Sequence, residues 1–258
     1  MYTHNEGEER LPGAELSAQE PVIAFTLARY PQRLSWRALA HLALDRWLLQ
    51  RTAGLRFWRL LGVGQGRAFD PCADLQRYAL FTVWDSLSAL HAFEHDSTLM
   101  QRIREQSEEA WTVHMRPVRW YGRWGGCDPF AGMTPVAAPE SGPWIILTRA
   151  TIRPTHLRAF LQAVPPVAEQ LLQQPELLNS VGVGEAPLFY QATFSLWRTL
   201  PALTKFAYEA APHMEVVQRV HRERWYREEL FARLRPLASY GTWDGVDPLL
   251  TARSGGPC

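Results

Sequence analysis

Along the chain, short β-rich apolar runs alternate with stretches whose apolar residues follow helical spacing. Residues 22–28 (VIAFTLA) form a short β-branched and aromatic run, the pattern of a buried strand. Ser35 then stands where a helix N-cap is expected. Behind it, over 36–50, Leu39, Leu42, Leu44, Leu48 and Leu49 follow helical spacing until Gly54 stops the helix. Strands are predicted over 55–63 and 77–84. Ser86 caps a helix through Phe93, Asp96 caps its continuation to about Trp111, and a strand over 113–120 closes the unit. After a Pro/Ala/Gly stretch, 131–142, the same order starts again. It gives a strand over 144–152, a helix from Thr155 toward Leu178, strands over 180–183 and 189–197, helices over 203–208 and 213–231, and a last strand over 237–243.

The two halves also match residue by residue. Gly62-Val63-Gly64 answers Gly182-Val183-Gly184, and Phe81 and Trp84 answer Phe194 and Trp197. The endings are the most specific match: Tyr121-Gly122-x-Trp124-x-Gly126-x-Asp128-Pro129 against Tyr240-Gly241-x-Trp243-x-Gly245-x-Asp247-Pro248. This is an internal duplication. Each strand–helix–strand–strand–helix–strand unit reads as ferredoxin-like. The predicted fold is therefore α+β, two tandem ferredoxin-like units packed sheet to sheet as a fused barrel with helices outside. The expected divisions are a tail over 1–20, a first unit over 21–130, a linker over 131–142, a second unit over 143–250 and a tail over 251–258.

Composition narrows the function classes. With 47% hydrophobic and 21% charged residues, a chain of 258 residues has a sizeable core. A net charge of +1 argues against a nucleic-acid partner held by phosphate neutralisation. Cys72, Cys127 and Cys258 show no CxxC or CxxCH spacing, which excludes a disulfide framework and covalently attached haem. The N-terminal stretch is polar and no apolar run reaches membrane-spanning length, so a cytoplasmic location is expected. There is no G-x-S-x-G, H-E-x-x-H or P-loop. The G-x-G at Gly62 and at Gly182 reads as a turn at a strand end. His91 and His95, four apart on a helix beside Asp96, lack a third ligand; His41, His114 and His156 are isolated.

The halves differ in one place. The second has six more residues before its closing Tyr-Gly and holds His213 and His221 there, opposite Leu99 and Met100 of the first. On a helix, two residues eight apart lie roughly 80° from one another. Arg219, Arg222, Arg224 and Trp225 crowd the same turns, and Lys205 precedes them. Imidazole with cations nearby suits a metal ligand beside an anionic group such as a haem propionate. A solvated helix with Glu215–Arg219 pairing is the plain alternative. Phe81, Trp84, Phe194 and Trp197 either line a channel from the inner faces or simply fill the core.

The segment Phe206-Ala207-Tyr208-x4-His213-x11-Trp225-Tyr226-Arg227-Glu228-Glu229-Leu230-Phe231, with the LTRATI strand and the VGVGE turn, resembles the spheroidene monooxygenase family of carotenoid biosynthesis. The resemblance covers most of 22–250 and is weaker in the first half. It departs at Pro212, immediately before His213, and in the polar N-terminal stretch. It implies a haem-containing, oxygen-dependent enzyme that introduces oxygen at C-2 of an acyclic carotenoid, on a duplicated dimeric α+β barrel fold. It implies haem b, with His213 as iron ligand and His221 as the alternative, and Arg222, Lys205 and Trp225 around the cofactor. Dioxygen and an external electron donor follow, as do an apolar polyene substrate, peripheral membrane contact and a homo-oligomer. Other readings are another haem reaction of this fold (dehydration or peroxidation) and a non-catalytic protein that binds an apolar ligand.

Overall fold

The computed structural model describes residues 9–10, 17–68, 72–137, 139–186, 190–209 and 211–250; within these, the side chains of 9–10, 37–39, 41–43, 186, 208–209 and 211–213 are excepted. Most of both expected tails, and Phe189, lie outside the described residues. Eight long strands follow in order: β1 Val22–Arg29, β2 Leu55–Gly64, β3 Ala73–Trp84, β4 Glu109–Gly122, β5 Trp144–Ile152, β6 Leu177–Ala186, β7 Tyr190–Trp197 and β8 Tyr226–Gly241. Helices α1 (Ser35–Gln50), α2 (Leu87–Asp96) and α3 (Thr98–Gln106) belong to the first half; α4 (Leu157–Leu172), α5 (Leu200–Glu209) and α6 (Ala211–Glu223) belong to the second.

The strands run β8-β4-β1-β3-β2-β6-β7-β5, and β5 pairs back to β8, so the sheet closes on itself as an antiparallel barrel. A two-residue strand, Glu9–Arg10, adds to the edge of β8 at Ala238 and Ser239. Within each half the spatial order is fourth strand, first, third, second. Two seams join the halves. One is the long β4–β8 ladder, from Trp111 opposite Gly241 to Gly122 opposite Leu230. The other is short: Gly62 opposite Gly184 and Val63 opposite Val183. The two Gly-Val-Gly segments are thus not free strand-end turns. They pair with one another with both valines pointing inward, and Gly184 is needed where β6 meets β7, since a Cβ there would stand 2.5 Å from the Tyr190 carbonyl oxygen.

Strand parity decides what fills the barrel. Ile23, Phe25 and Leu27 of β1 meet Phe194 and Leu196 of β7, Phe25 and Phe194 stacking with centroids 4.0 Å apart. Phe81 is likewise interior. Trp84 and Trp197, an odd number of residues along from those phenylalanines, point the other way and pack under the helices. Of the two readings of these four aromatics, channel lining and core filling, the structure supports core filling: two fill the barrel and two seat the helices.

The repeated Tyr-Gly-x-Trp loops close the barrel ends. Trp124 and Trp243 are buried in the interior cluster, Phe130 and, from the expected linker, Met133 join them, and each loop makes the same short bridge, Trp124 with Cys127 and Trp243 with Val246. Each loop also latches onto the other half. The amides of Gly125 and Gly126 donate to the Glu228 carboxylate at 2.7 and 2.6 Å, and Gly245 N–H donates to Glu109 at 2.6 Å.

Two helices end sooner than expected, both before the fourth strand of a half. The helix predicted to run to Trp111 stops at Gln106, and the one predicted to reach Phe231 stops at Glu223, where Arg224 turns with φ 53°. The stretch from Leu230 to Leu234 alternates inward Leu230, Ala232 and Leu234 with outward residues, a period of two that the many helix-forming residues there disguise. Ser97, not Asp96, caps α3, accepting from Met100 N–H at 3.1 Å. Ser35 is the first residue of α1 rather than its cap, and α4 is entered through a short 3-10 turn, Pro154–His156.

Candidate functional site

The outer faces of the two sheet halves are built alike but covered differently. In the first half, α1 packs directly on β2 and β3, and one continuous apolar cluster lies beneath the helices, leaving only a small cavity of about 30 Å³ bordered by Thr26, Tyr30, Asp45 and Arg102. Thr26, at the centre of β1, is 5% exposed there and its hydroxyl bonds that of Thr112 at 2.9 Å. In the second half the main packing partner of α4 is α6, not the sheet. The apolar material splits into two clusters, one around Trp144, Ile146, Trp197 and Phe206, the other around Ile152, Phe160, Val220 and Trp225.

Between these clusters lies Thr148, the position in β5 that corresponds to Thr26. It is hydrogen-bonded into the sheet on both sides, opposite Thr193 and Phe231, yet its side chain is exposed. A central strand is normally covered on a face that carries helices. Here α4 packs on α6 rather than on the strands, leaving a slot at Thr148 between two apolar clusters whose half-buried members include Val164 of α4, Val216 of α6 and Phe231. An opening between apolar clusters is the kind of place that takes a flat apolar group.

The residues expected at a cofactor are placed as follows. His213 lies in α6 and its side chain is outside the description. His221 is exposed near the end of α6, in a recess of about 400 Å³ whose lining includes Arg123, Arg153, Arg224 and Arg227. Arg222 is exposed, 3.5 Å from Glu223, and Lys205 is exposed on α5. Trp225 is fully buried; its indole N–H donates to Glu223 at 2.7 Å and the Arg219 guanidinium lies 5.0 Å over its ring. It is a wedge that fixes the end of α6 against α4. Arg219 pairs with Glu223 at 3.1 Å, one turn ahead of it, rather than with Glu215 one turn behind, the partner the sequence offered.

One polar group was not foreseen. Arg149 points into the barrel end, 3% exposed, where the equivalent residue of the first half is Leu27. It makes an ion pair with Glu228, lies 3.9 Å from Glu185, and stands 5.8 Å over the ring of Trp124. Arg59 reaches Glu185 at 3.1 Å from the other side. Burial alone raises the Glu228 carboxyl, but the amides of Gly126 and Gly125 and the Arg149 guanidinium outweigh it and hold the group below the ordinary glutamate range. The signal was present in the sequence: a lone arginine at an inward position of LTRATI.

No family profile matches the chain. Among characterised proteins, the spheroidene monooxygenase of Rhodobacter capsulatus is 31% identical over 231 residues, covering 89% of this chain and 95% of that protein. The chain belongs to the spheroidene monooxygenase family. The family's proteins from Cereibacter sphaeroides (32% identical, 77% of this chain and 62% of the relative) and Rubrivivax gelatinosus (33%, 74% and 73%) agree. Membership makes the chain an oxidoreductase. The barrel resembles the crystal structure of an aldoxime dehydratase bound to butyraldoxime, at a TM-score of 0.61 and 12% identity over 95% of this chain and 88% of that one. A second aldoxime dehydratase gives 0.57 at 11% identity, over 88% and 86% of the two chains. These likenesses establish the α+β barrel fold. Among the described residues no helix is long and apolar enough to cross a membrane.

Proposed function

We propose that this protein is a haem-dependent monooxygenase that inserts oxygen at C-2 of an acyclic, spheroidene-like carotenoid, with cofactor and substrate meeting at the slot outside the second half. The observation that carries the reading is the contrast between Thr26, sealed under its helices, and Thr148, open under helices that stand off. The relatives' names supply the substrate class. The barrel itself is read as two ferredoxin-like units, 21–130 and 143–250, from a duplication, which the shared strand order and the matched Tyr-Gly-x-Trp loops support.

Haem b, when bound, supplies dioxygen activation, with electrons from an external donor. The chain's own residues do the rest. His213, with His221 as the alternative, is the proposed iron ligand. Val164, Val216 and Phe231 offer apolar surface to a flat ring and a polyene, and the hydroxyls of Thr148 and Thr193 are the polar groups on the floor. Arg222 and Lys205 are free enough to reach carboxylates at the rim, and buried Trp225 keeps α6 in place.

The test is to express the chain with haem supply and record its absorbance. A Soret band is expected, lost on His213→Ala and kept on His221→Ala. Thr148→Trp should also abolish it while leaving the circular dichroism unchanged, because the side chain points into open space. No band in any preparation, or a band indifferent to Thr148→Trp, would sink the reading.

We further propose that α1 rests on an anionic membrane surface, where a carotenoid would be met. Trp36, Leu44 and Trp47 are 67%, 64% and 64% exposed on one helical face. Exposed Arg33, Arg46 and Arg51 surround them, Arg51 lying 4.0 Å over the Trp47 ring, while Asp45 turns inward to Arg102. Exposed aromatic and cationic groups together match an anionic lipid interface. The chain should float with phosphatidylglycerol vesicles but not with neutral ones, and Trp36→Ser/Trp47→Ser should abolish this. Equal binding to both vesicles, or none, would overturn it. So would a dimer in the absence of lipid that the double variant dissolves, since a second copy would then be the occupant.

A further inference from the structure

A second polar cluster lies on the opposite half, remote from the slot. His91 and Glu94 are three residues apart on α2 and so share a face. Beneath them His114 rises from the outer face of β4. One donor atom from each of the three lies within 4.8 Å of both others, and His114 Nε2 is 2.8 Å from Glu94 Oε1. The two imidazole rings are 5.7 Å apart. Glu94 and His114 are 6% and 1% exposed; His91 is half-buried, and its Nε2 is buried without a hydrogen-bond partner.

The fold does not require these residues. Counting from the matched motifs, the second half holds Thr204, Ala207 and Arg233 in the same three places. Ionisable groups taken from water cost free energy unless each finds a partner. Here one pair is made and the third donor is left facing it.

We infer that His91, Glu94 and His114 bind a divalent transition metal of the zinc type. Two imidazole nitrogens and a carboxylate oxygen form a borderline donor set of the kind that holds zinc at about 2.0–2.2 Å. Donor atoms around such an ion stand about 3–3.5 Å apart. Glu94 Oε1 and His114 Nε2, 2.8 Å apart in their hydrogen bond, would part slightly to admit the ion, and the half-buried His91 ring closes the rest by a side-chain rotation. Around the site, Tyr240 lies edge-on to His114 with centroids 5.9 Å apart. Arg104 of α3, the nearest cation, is occupied by the backbone carbonyls of Glu94 and His95, at 2.6 and 3.3 Å. The ion would staple α2 to β4, a strand of the long seam. His95, which the sequence set beside His91, instead bonds Asp96 at 2.6 Å in solvent and takes no part.

The test uses the whole protein as purified, dialysed first against chelator and then against zinc, with bound metal measured by emission spectrometry and the melting temperature recorded. One equivalent of zinc should remain, and the melting temperature should rise with zinc concentration. His91→Gln should lower retained zinc by at least about tenfold. It should also remove the zinc-dependent rise while leaving the zinc-free melting temperature and circular dichroism as in the parent. His95→Gln should retain zinc. No stoichiometric zinc in the folded parent, or equal zinc in parent and His91→Gln, would overturn the site. Neither readout depends on haem, so failure here is distinct from failure of the oxygenase reading.

Discussion

At the scale of single residues, the barrel end shows how one buried charge is made tolerable. Arg149 replaces a leucine's place in the duplicate, and Glu228 answers it while accepting two loop amides. Removing one partner of such a pair leaves the other uncompensated, which costs about 3–5 kcal/mol when the site is buried. Glu228→Gln should therefore destabilise the protein by a few kcal/mol at neutral pH, read from urea unfolding. The carboxyl is held below its ordinary range, so its contribution is present above the unfolded-state pKa and lost as pH falls through the folded one. The gap between parent and variant should accordingly shrink in acid. A gap that stays constant with pH would mean that the charge is not what matters at this position. Neither Arg149 nor the His91–Glu94–His114 group was read from the sequence as a cluster, because their partners are far along the chain and meet only once the barrel has closed.

Among elements, the repeated Tyr-Gly loops were the most legible feature, and their purpose was the least so. The sequence marked Gly122 and Gly241 as fixed; the structure gives the reason. Both have positive φ, 95° and 81°, and a Cβ would stand 2.1 Å from the Glu229 carbonyl oxygen in one case and 2.0 Å from that of Ala110 in the other. Gly126 also has positive φ, 80°, with nothing within 4 Å of a Cβ. Gly126→Ala should thus cost only the conformational strain, about 1 kcal/mol. Gly122→Ala adds a backbone collision and should cost at least about 3 kcal/mol. Similar urea midpoints for the two variants would count against the collision. Strand order along the chain and strand count were also readable, because short β-branched and aromatic apolar runs survive in β1, β3, β5 and β7. The starts of β4 and β8 were not, since Glu, Arg and Leu favour helix locally and pairing with distant strands overrides them.

Across the whole molecule, the duplication announced a barrel, but the difference between its halves was legible only as an insertion around His213 and His221. The added residues lengthen α6, 13 residues against 9 in its counterpart α3, and α6 is the helix against which α4 packs. The slot is a property of spacing between layers, and no side-chain pattern encodes such a distance directly. The long seam carries a consequence for how the chain is made. Trp111 finds its partner at Gly241, and β5 finds one of its two neighbours in β8, so the last strand synthesised completes two ladders at once. Until it emerges from the ribosome, β4 and β5 each present an unpaired edge, the condition under which strands recruit other chains. Vectorial synthesis therefore leaves the barrel exposed to aggregation until β8 has emerged, and its folding rate should be governed by that late, long-range closure.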